Sequence, residues 1–315
     1  DYRSRRRMRD IALPSSPFTL SRPRMQPRES NNMRGLLVMG LGFLLFSAAD
    51  TQAKLLTESF HPVQVVWFRQ LGLLSGVVIA LIMLGPSLFR THHPVLQIAR
   101  GLLAVISATC FIFAVKFVPL AEAVAVSFVA PFLVTAMGAL LLGERVGLRR
   151  WFAVTIGFVG TLIVIRPGMG VMHPAVLLVV VAASAFAARQ VLSRRLASSD
   201  QTITTVAYTA LASVLVLSFP LPLFWTTPQA ELHWALLVGM AVFAALGELM
   251  IIKSLEIAQA AVLAPVHYSL IIWGTFWGWL VFDQLPDRWT WIGAAIIVAT
   301  GLYIIHRERK LASVD

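Results

Sequence analysis

Charge is scarce in this chain, and negative charge scarcest. Only 13% of residues are charged, with 15 Asp and Glu against 26 Lys and Arg; an ordinary soluble domain carries about a quarter. Too little polar surface exists to cover a core drawn from 58% hydrophobic residues, which excludes a globule surrounded by water. A single cysteine, Cys110, excludes any intramolecular disulfide. The sequence also lacks HExxH, GxSxG, a phosphate-cradling glycine loop and any cluster of metal ligands. The expectation is a protein that is not an enzyme and holds no cofactor and no metal. His92-His93 falls in a joint without acidic neighbours and reads as a solvated pair.

What is abundant is apolar run. Mean hydropathy is +0.78, and the runs predict helices over 35–56, 62–84, 95–117, 120–142, 149–166, 173–194, 202–224, 231–254, 258–282 and 287–306. Most are near the twenty or so residues that span a bilayer. Prolines such as Pro62, Pro94, Pro119, Pro228 and Pro286 mark the joints between them. The fold class expected is an all-α integral membrane protein, with ten transmembrane helices arranged as two inverted five-helix repeats. An odd number of spans per repeat turns the second copy upside down relative to the first. Inverted repeats characterise secondary transporters, with the substrate near the midplane between the halves.

The net charge of +11 is distributed by topology rather than as a nucleic-acid face. With the N-terminus inside, twenty Lys and Arg fall on the cytoplasmic side and two, Arg166 and Arg288, outside. Lys54, Arg69, Lys116 and Arg189 remain within spans. This positive-inside bias predicts an inner-membrane, multi-pass protein with both termini cytoplasmic. Trp67, Trp151, Trp225, Trp234, Trp289 and Trp291 lie near helix ends, where indoles favour the headgroup zone. The expected organisation is an Arg/Pro-rich disordered tail over 1–32, a first repeat over 33–170, a second over 171–306 and a basic tail over 307–315. The first tail reads equally as an upstream extension of the reading frame, with Met33 as the natural start.

The duplication is legible residue by residue. Lys116-Phe-Val-Pro-Leu-Ala-Glu122 aligns with Lys253-Ser-Leu-Glu-Ile-Ala-Gln259 at an offset of 137. In the first two helices of each half the offset is nearer 140: Phe46 matches Phe186, Asp50 matches Gln190, Lys54 matches Arg194 and Phe68 matches Tyr208. Three stretches, Pro119-Leu-Ala-Glu-Ala with Pro131, Gly143-Glu144-Arg145, and Gly160 with Arg166-Pro167-Gly168, resemble the drug/metabolite transporter superfamily, specifically its EamA-type carriers of ten helices. The resemblance covers about residues 33–306. It implies transport of a small metabolite, since such carriers export amino acids or opine metallophores, or import riboflavin or S-adenosylmethionine. The second copy departs from the pattern: Tyr268 stands where Pro131 would align and Asp283 loosely replaces Glu144, so a straighter ninth helix is expected.

Charges inside spans are costly and mark substrate or ion pathways. In the first half these are Asp50 and Lys54, four apart on one helical face, Arg69, and Lys116 and Glu122 flanking a joint. Asp50 and Lys54 read either as a buried pair bracing the first helix or as substrate contacts; Arg69, Lys116 and Lys253 are also placed to snorkel. The inverted half sets Arg189, Glu248, Lys253 and Gln259 at the other end of the same path. Ser127, Pro131 and Thr135 make a broken, partly polar strip, because a proline frees a carbonyl. In the ninth helix, Ala260, Ala264, His267, Ile271, Gly274 and Gly278 share a face, with His267 near mid-membrane beside Tyr268. Trp273 and Trp277 share another face and suit a planar or methylated ligand, or plain core packing.

The function expected from these residues is secondary transport of a small polar or zwitterionic metabolite, with export of an amino-acid-like or opine-metallophore-like solute leading. Import of riboflavin or S-adenosylmethionine is the alternative, and a membrane scaffold protein the non-transport one. Partners expected are the small-molecule substrate, the lipid bilayer and a coupled proton on Glu122 or His267, with no nucleic acid; a homodimer is compatible with this reading.

Overall fold

In the computed structural model, residues 32–142, 148–166, 173–196, 199–258 and 263–312 are described. The first tail to residue 31, Gly143-Glu144-Arg145, Pro167-Gly168 and the segment carrying Gln259 and Ala260 lie outside them. Twelve α-helices occur among the described residues: α1 (Asn32–Leu56), α2 (Pro62–Leu84), α3 (Pro94–Val115), α4 (Leu120–Ser127), α5 (Ala130–Leu142) and α6 (Leu148–Ile165). After them come α7 (Val176–Leu196), α8 (Thr202–Ser218), the short α9 (Leu221–Phe224), α10 (Glu231–Ile257), α11 (Ser269–Phe282) and α12 (Arg288–Ala312).

Six stretches are long and apolar enough to cross a membrane, with α4 and α5 counting as one. The apolar α6, α8 and the 266–282 stretch are shorter, and α12 completes ten. Proline at the start of α2 and α3 fits the first helical turn, where no N–H is needed. Helix α12 runs on through 307–312, the stretch expected as a tail, because Arg-Glu-Arg-Lys-Leu-Ala contains no helix breaker.

Alternate joints share a face, as crossing spans require. On one face, Gln64 at the start of α2 exchanges hydrogen bonds with the backbone of Thr226 in the α9–α10 joint, at 2.8 and 2.9 Å. Arg166 after α6 pairs there with Asp287 before α12, at 2.7 Å. On the other, Gln97 of α3 donates to Asp200 in the α7–α8 joint at 2.7 Å. We refer to the first as the far face and to the second, where α1 begins and α12 ends, as the terminal face.

The packing repeats under exchange of halves. Numbering the spans one to ten, the extensive contacts are one with eight, three with six and five with ten, then three with seven, two with eight, two with seven, four with six, one with nine and four with nine. Adding five to each span number maps this set onto itself. The match reaches individual residues at the offset of 140. Gly42 and Gly247 face each other's carbonyls where α1 crosses α10; their matches, Ala182 and Ser107, meet where α3 crosses α7, the Ser107 hydroxyl donating to the Ala182 carbonyl at 2.9 Å. Gly72 lies against Ala241, and their matches, Ala212 and Gly101, are likewise in contact. Small residues at these crossings let the backbones approach, which is how helices adhere in lipid.

Spans four and nine are both broken. After α4, the Phe128 and Val129 amides donate to carbonyls three residues back, at 3.3 and 3.1 Å, and α5 then starts with Pro131 in its first turn. A proline has no N–H to donate and its ring crowds the preceding turn. The ninth span breaks as well, which corrects the straighter helix expected. Ala264–Tyr268 is a 3-10 helix with Pro265 at its start, and α11 follows. The proline aligned at 268 in the sequence is supplied three residues earlier.

Candidate functional site

The two breaks meet. The ring of Phe128, at the kink of span four, stacks on Tyr268, which closes the 3-10 turn of span nine, with centroids 5.1 Å apart and planes 28° from parallel. Each break also sends an aromatic ring into the next span of its own half. A Cβ added at Gly157 of α6 would fall on the Phe132 ring, and one added at Gly301 of α12 on the Tyr268 hydroxyl. Interrupted helices at corresponding positions of two repeats are where such folds place a substrate.

Charged groups lie on either side of this centre. Towards the far face, Arg69 of α2 donates to the Asp50 carboxylate of α1 at 2.6 Å, both side chains being about 10% exposed. The guanidinium rests 4.6 Å from the centroid of Phe46. Asp50 and Lys54 therefore do not pair along α1. Lys54 instead donates to the Val118 carbonyl at 2.9 Å and to Gln284 Oε1 at 3.2 Å, over the ring of Phe282. It ties the end of α1 to two other joints. Glu122, half-buried in the first turn of α4, lies within the fields of Asp287, Arg166 and Lys54. Lys116 is exposed over Phe117 and stands apart from this network.

Towards the terminal face, three charges from three helices converge. Arg189 of α7 lies 4.9 Å over the Phe186 ring and interacts with Glu248 of α10. Arg100 of α3 interacts with both. Its Nε donates to Ser193 at 2.7 Å and its Nη1 to Thr209. Arg100, one of the twenty charges assigned by the positive-inside bias to the cytoplasmic side, stands in the second turn of a helix that begins at Pro94. A charge inside an apolar run was the available signal.

The remaining candidates are spread along spans four and nine. The Ser127 hydroxyl donates to its own helix at Val124, and Pro131 is exposed. His267 is exposed and meets Phe43 edge-on at 4.7 Å. The 3-10 turn rotates it out of the face predicted for a continuous helix. Trp273 packs against Met39 and Phe43, and Trp277 against the main core. The buried indole nitrogens of both have no hydrogen-bond partner, nor does the Ser269 hydroxyl one turn before Trp273. A cavity of about 680 Å³ opens at the far face, lined by Glu58 and the end of span nine. It lies beside Gln284 rather than at the meeting of the breaks. No three His, Cys, Asp or Glu side chains gather among the described residues in a way that could hold a metal ion.

The joints carry titratable groups of their own. Burial pushes the Asp287 carboxyl up, but hydrogen bonds from Thr290 and the charge and hydrogen bond of Arg166 outweigh it and hold it below the usual carboxylate range. Asp200 is similar: burial is outweighed by donation from Thr91, Gln97 and the His92 amide. His61 caps α2 through Nδ1 and stacks on Phe224 at 3.9 Å. Burial and then the Lys116 charge push it below the ordinary histidine value.

The chain belongs to the EamA-like transporter family, which matches residues 33–166 and again 173–306. It is 25% identical to the S-adenosylmethionine uptake transporter of Rickettsia prowazekii, covering 89% of this chain and 95% of that protein. It is 32% identical to a riboflavin transporter of Vibrio cholerae over 70% of this chain and 74% of that one. With the pseudopaline exporter CntI of Pseudomonas aeruginosa the identity is 27%, covering 88% and 97%. A solved crystal structure superposes with a TM-score of 0.61 at 19% identity, covering 89% of this chain and all but 1% of the other. The chain is a multi-pass membrane transporter.

Proposed function

We propose that this transporter carries a small zwitterionic metabolite, one bearing both a carboxylate and a cationic group, and that it works as an exporter from the cytoplasm. The observation that supports the reading most is the meeting of two helix breaks at the Phe128–Tyr268 stack, with ionised groups within the spans towards either face. A neutral solute needs no such charges, each of which is costly in a membrane. The positive-inside bias supports a cytoplasmic terminal face. Glu122 and His267 are the groups we assign to proton coupling.

Import is the second reading, favoured by the names of the S-adenosylmethionine and riboflavin relatives. Counterflow in proteoliposomes separates solute classes. Saturable exchange of S-adenosylmethionine or L-methionine without exchange of riboflavin is expected; the reverse would refute the zwitterion reading. Direction is read in cells with and without the gene. A solute that accumulates inside the deletion strain indicates export, and a nutrient consumed only by the parent indicates import. Repeating the exchange with and without a pH gradient tests the proton.

A further inference from the structure

The two halves use a similar device with two differences: the second-half guanidinium comes from the ring's own helix, because Thr209 stands where Arg69 would match, and its carboxylate is missing. In the first half, a guanidinium lies on the Phe46 ring and its positive charge is met by Asp50 at 2.6 Å. In the second half, a guanidinium lies on the ring of Phe186, the residue that matches Phe46 at the offset of 140. The residue matching Asp50 is Gln190, which brings no charge. A second cation, Arg100, faces the same place from α3, and among the described residues one carboxylate, Glu248 from α10, faces both.

The ledger of charge is therefore unequal. Around the far-face network Asp50, Glu58, Glu122 and Asp287 stand against Lys54, Arg69 and Arg166. Among the described residues, two guanidiniums in the terminal-face cluster stand against one carboxylate. The neighbours that complete it are neutral: Ser193 on α7 and Thr205 and Thr209 on α8, all taken up by Arg100. Asp200, further out in the joint, is engaged by Thr91, Gln97 and the His92 amide. The Nε of Arg189 is buried and has no hydrogen-bond partner. Both arginines are half-buried; a surplus cation so placed is stabilised when matched, and a guanidinium matches a carboxylate with two parallel hydrogen bonds.

We infer that Arg189, supported by Arg100, is the subsite for the carboxylate of the transported solute, which takes the role there that Asp50 has in the other half. The inference rests on the zwitterion reading above for the identity of the solute, but not for the anion site itself. Phe186 holds the guanidinium from one side, and Ser193 and Thr209 fix Arg100, so both cations are oriented before the solute arrives.

The test uses the purified full chain in detergent, with thermal stability read against two probe pairs. These are S-adenosylmethionine with its decarboxylated analogue, and L-methionine with L-methioninamide. Wild type should respond to the acid of at least one pair about tenfold more strongly, in apparent affinity, than to its partner. Arg189→Gln should abolish that preference. Gln190→Asp, which restores the carboxylate of the first half, should also abolish it while raising the melting temperature of the unliganded protein, so loss of folding cannot explain the result. Equal response to both members of each pair, no response to either acid, or stabilisation by phosphatidylglycerol alone would overturn the inference. So would a preference for the acid that survives in both variants. Counterflow separates the two claims: an acid preference lost in the variants, with no zwitterion exchanged by wild type, leaves the subsite standing and removes the proposed substrate class.

Discussion

Replacing Asp50 with Asn leaves the Arg69 guanidinium buried, charged and without its carboxylate. Removing one partner of a buried pair costs about 3–5 kcal/mol. The Phe46 face, 4.6 Å from the guanidinium, is present in both forms and leaves that difference unchanged. A loss of about 3–5 kcal/mol corresponds to a fall on the order of 10 °C in the melting temperature of a chain this size. Arg69→Met should cost less, because a lone carboxyl can take up a proton whereas a guanidinium keeps its charge. The double variant Asp50→Asn/Arg69→Met removes both charges and should recover most of the loss. The assay is thermal unfolding of the purified protein in one detergent, all four forms side by side. If the double variant lost the sum of the two single losses, the residues would be acting independently, and the pair would not be the brace between α1 and α2 described here.

Two further predictions follow from local geometry. Gly301→Ala and Gly157→Ala each place a methyl group onto an aromatic ring anchored at a helix break, and each should destabilise by about 1–3 kcal/mol as overpacking does. Gly76→Ala, which meets nothing within 4 Å, is the control expected to be silent. The Asp287 carboxyl is held low in the folded state, so its contribution is present above the unfolded carboxylate value of about 3.9 and lost as pH falls through the lower folded value. Its side chain is 39% exposed, which limits the pair with Arg166 to about 1 kcal/mol or less. Asp287→Asn should lose that amount at neutral pH and flatten the acid limb of a stability-against-pH curve.

The sequence makes the span count and the recurrence of Phe46 at Phe186 readable, because both depend on hydrophobic periodicity and on polar positions in a fixed order. It also marks the break in span four, where Pro131 interrupts an apolar run. The break in span nine escapes the reading because Pro265 sits three residues from the aligned position, and a helix can be interrupted at either place with the same topological result. Lys54 is recognisable as a buried charge, yet one of its partners is the Val118 carbonyl. Every residue carries such a carbonyl, so no residue type announces it. Arg100 lies within the expected third helix, but so near its start that the charge count alone assigns it to the headgroup zone; only its partners Ser193 and Thr209 place it in the bundle. The unequal charge of the two halves, by contrast, is written openly in the pairing of Asp50 with Gln190.

The same packing restricts how the protein can move. The most extensive contacts, α1 with α10, α3 with α7 and α6 with α12, all join one half to the other. Two of these crossings are held by Gly42 against Gly247 and by Ser107 against Ala182. A motion that parted the repeats as two rigid bodies would have to open these tightest seams, so the seams should stay closed through a transport cycle. The contact that has to change is the stack between the two breaks. Because Cys110 is the one native thiol, a chain carrying Cys110→Ser is a clean background for cross-linking. Joining Ser107→Cys to Ala182→Cys with a short bifunctional thiol reagent should leave counterflow near its unlinked rate. Joining Phe128→Cys to Tyr268→Cys should stop it, and cleaving the link should restore it to the level of the unlinked double variant. Arrest by the first link with free exchange through the second would mean that the halves do separate along the α3–α7 seam and that the substrate does not pass between the breaks.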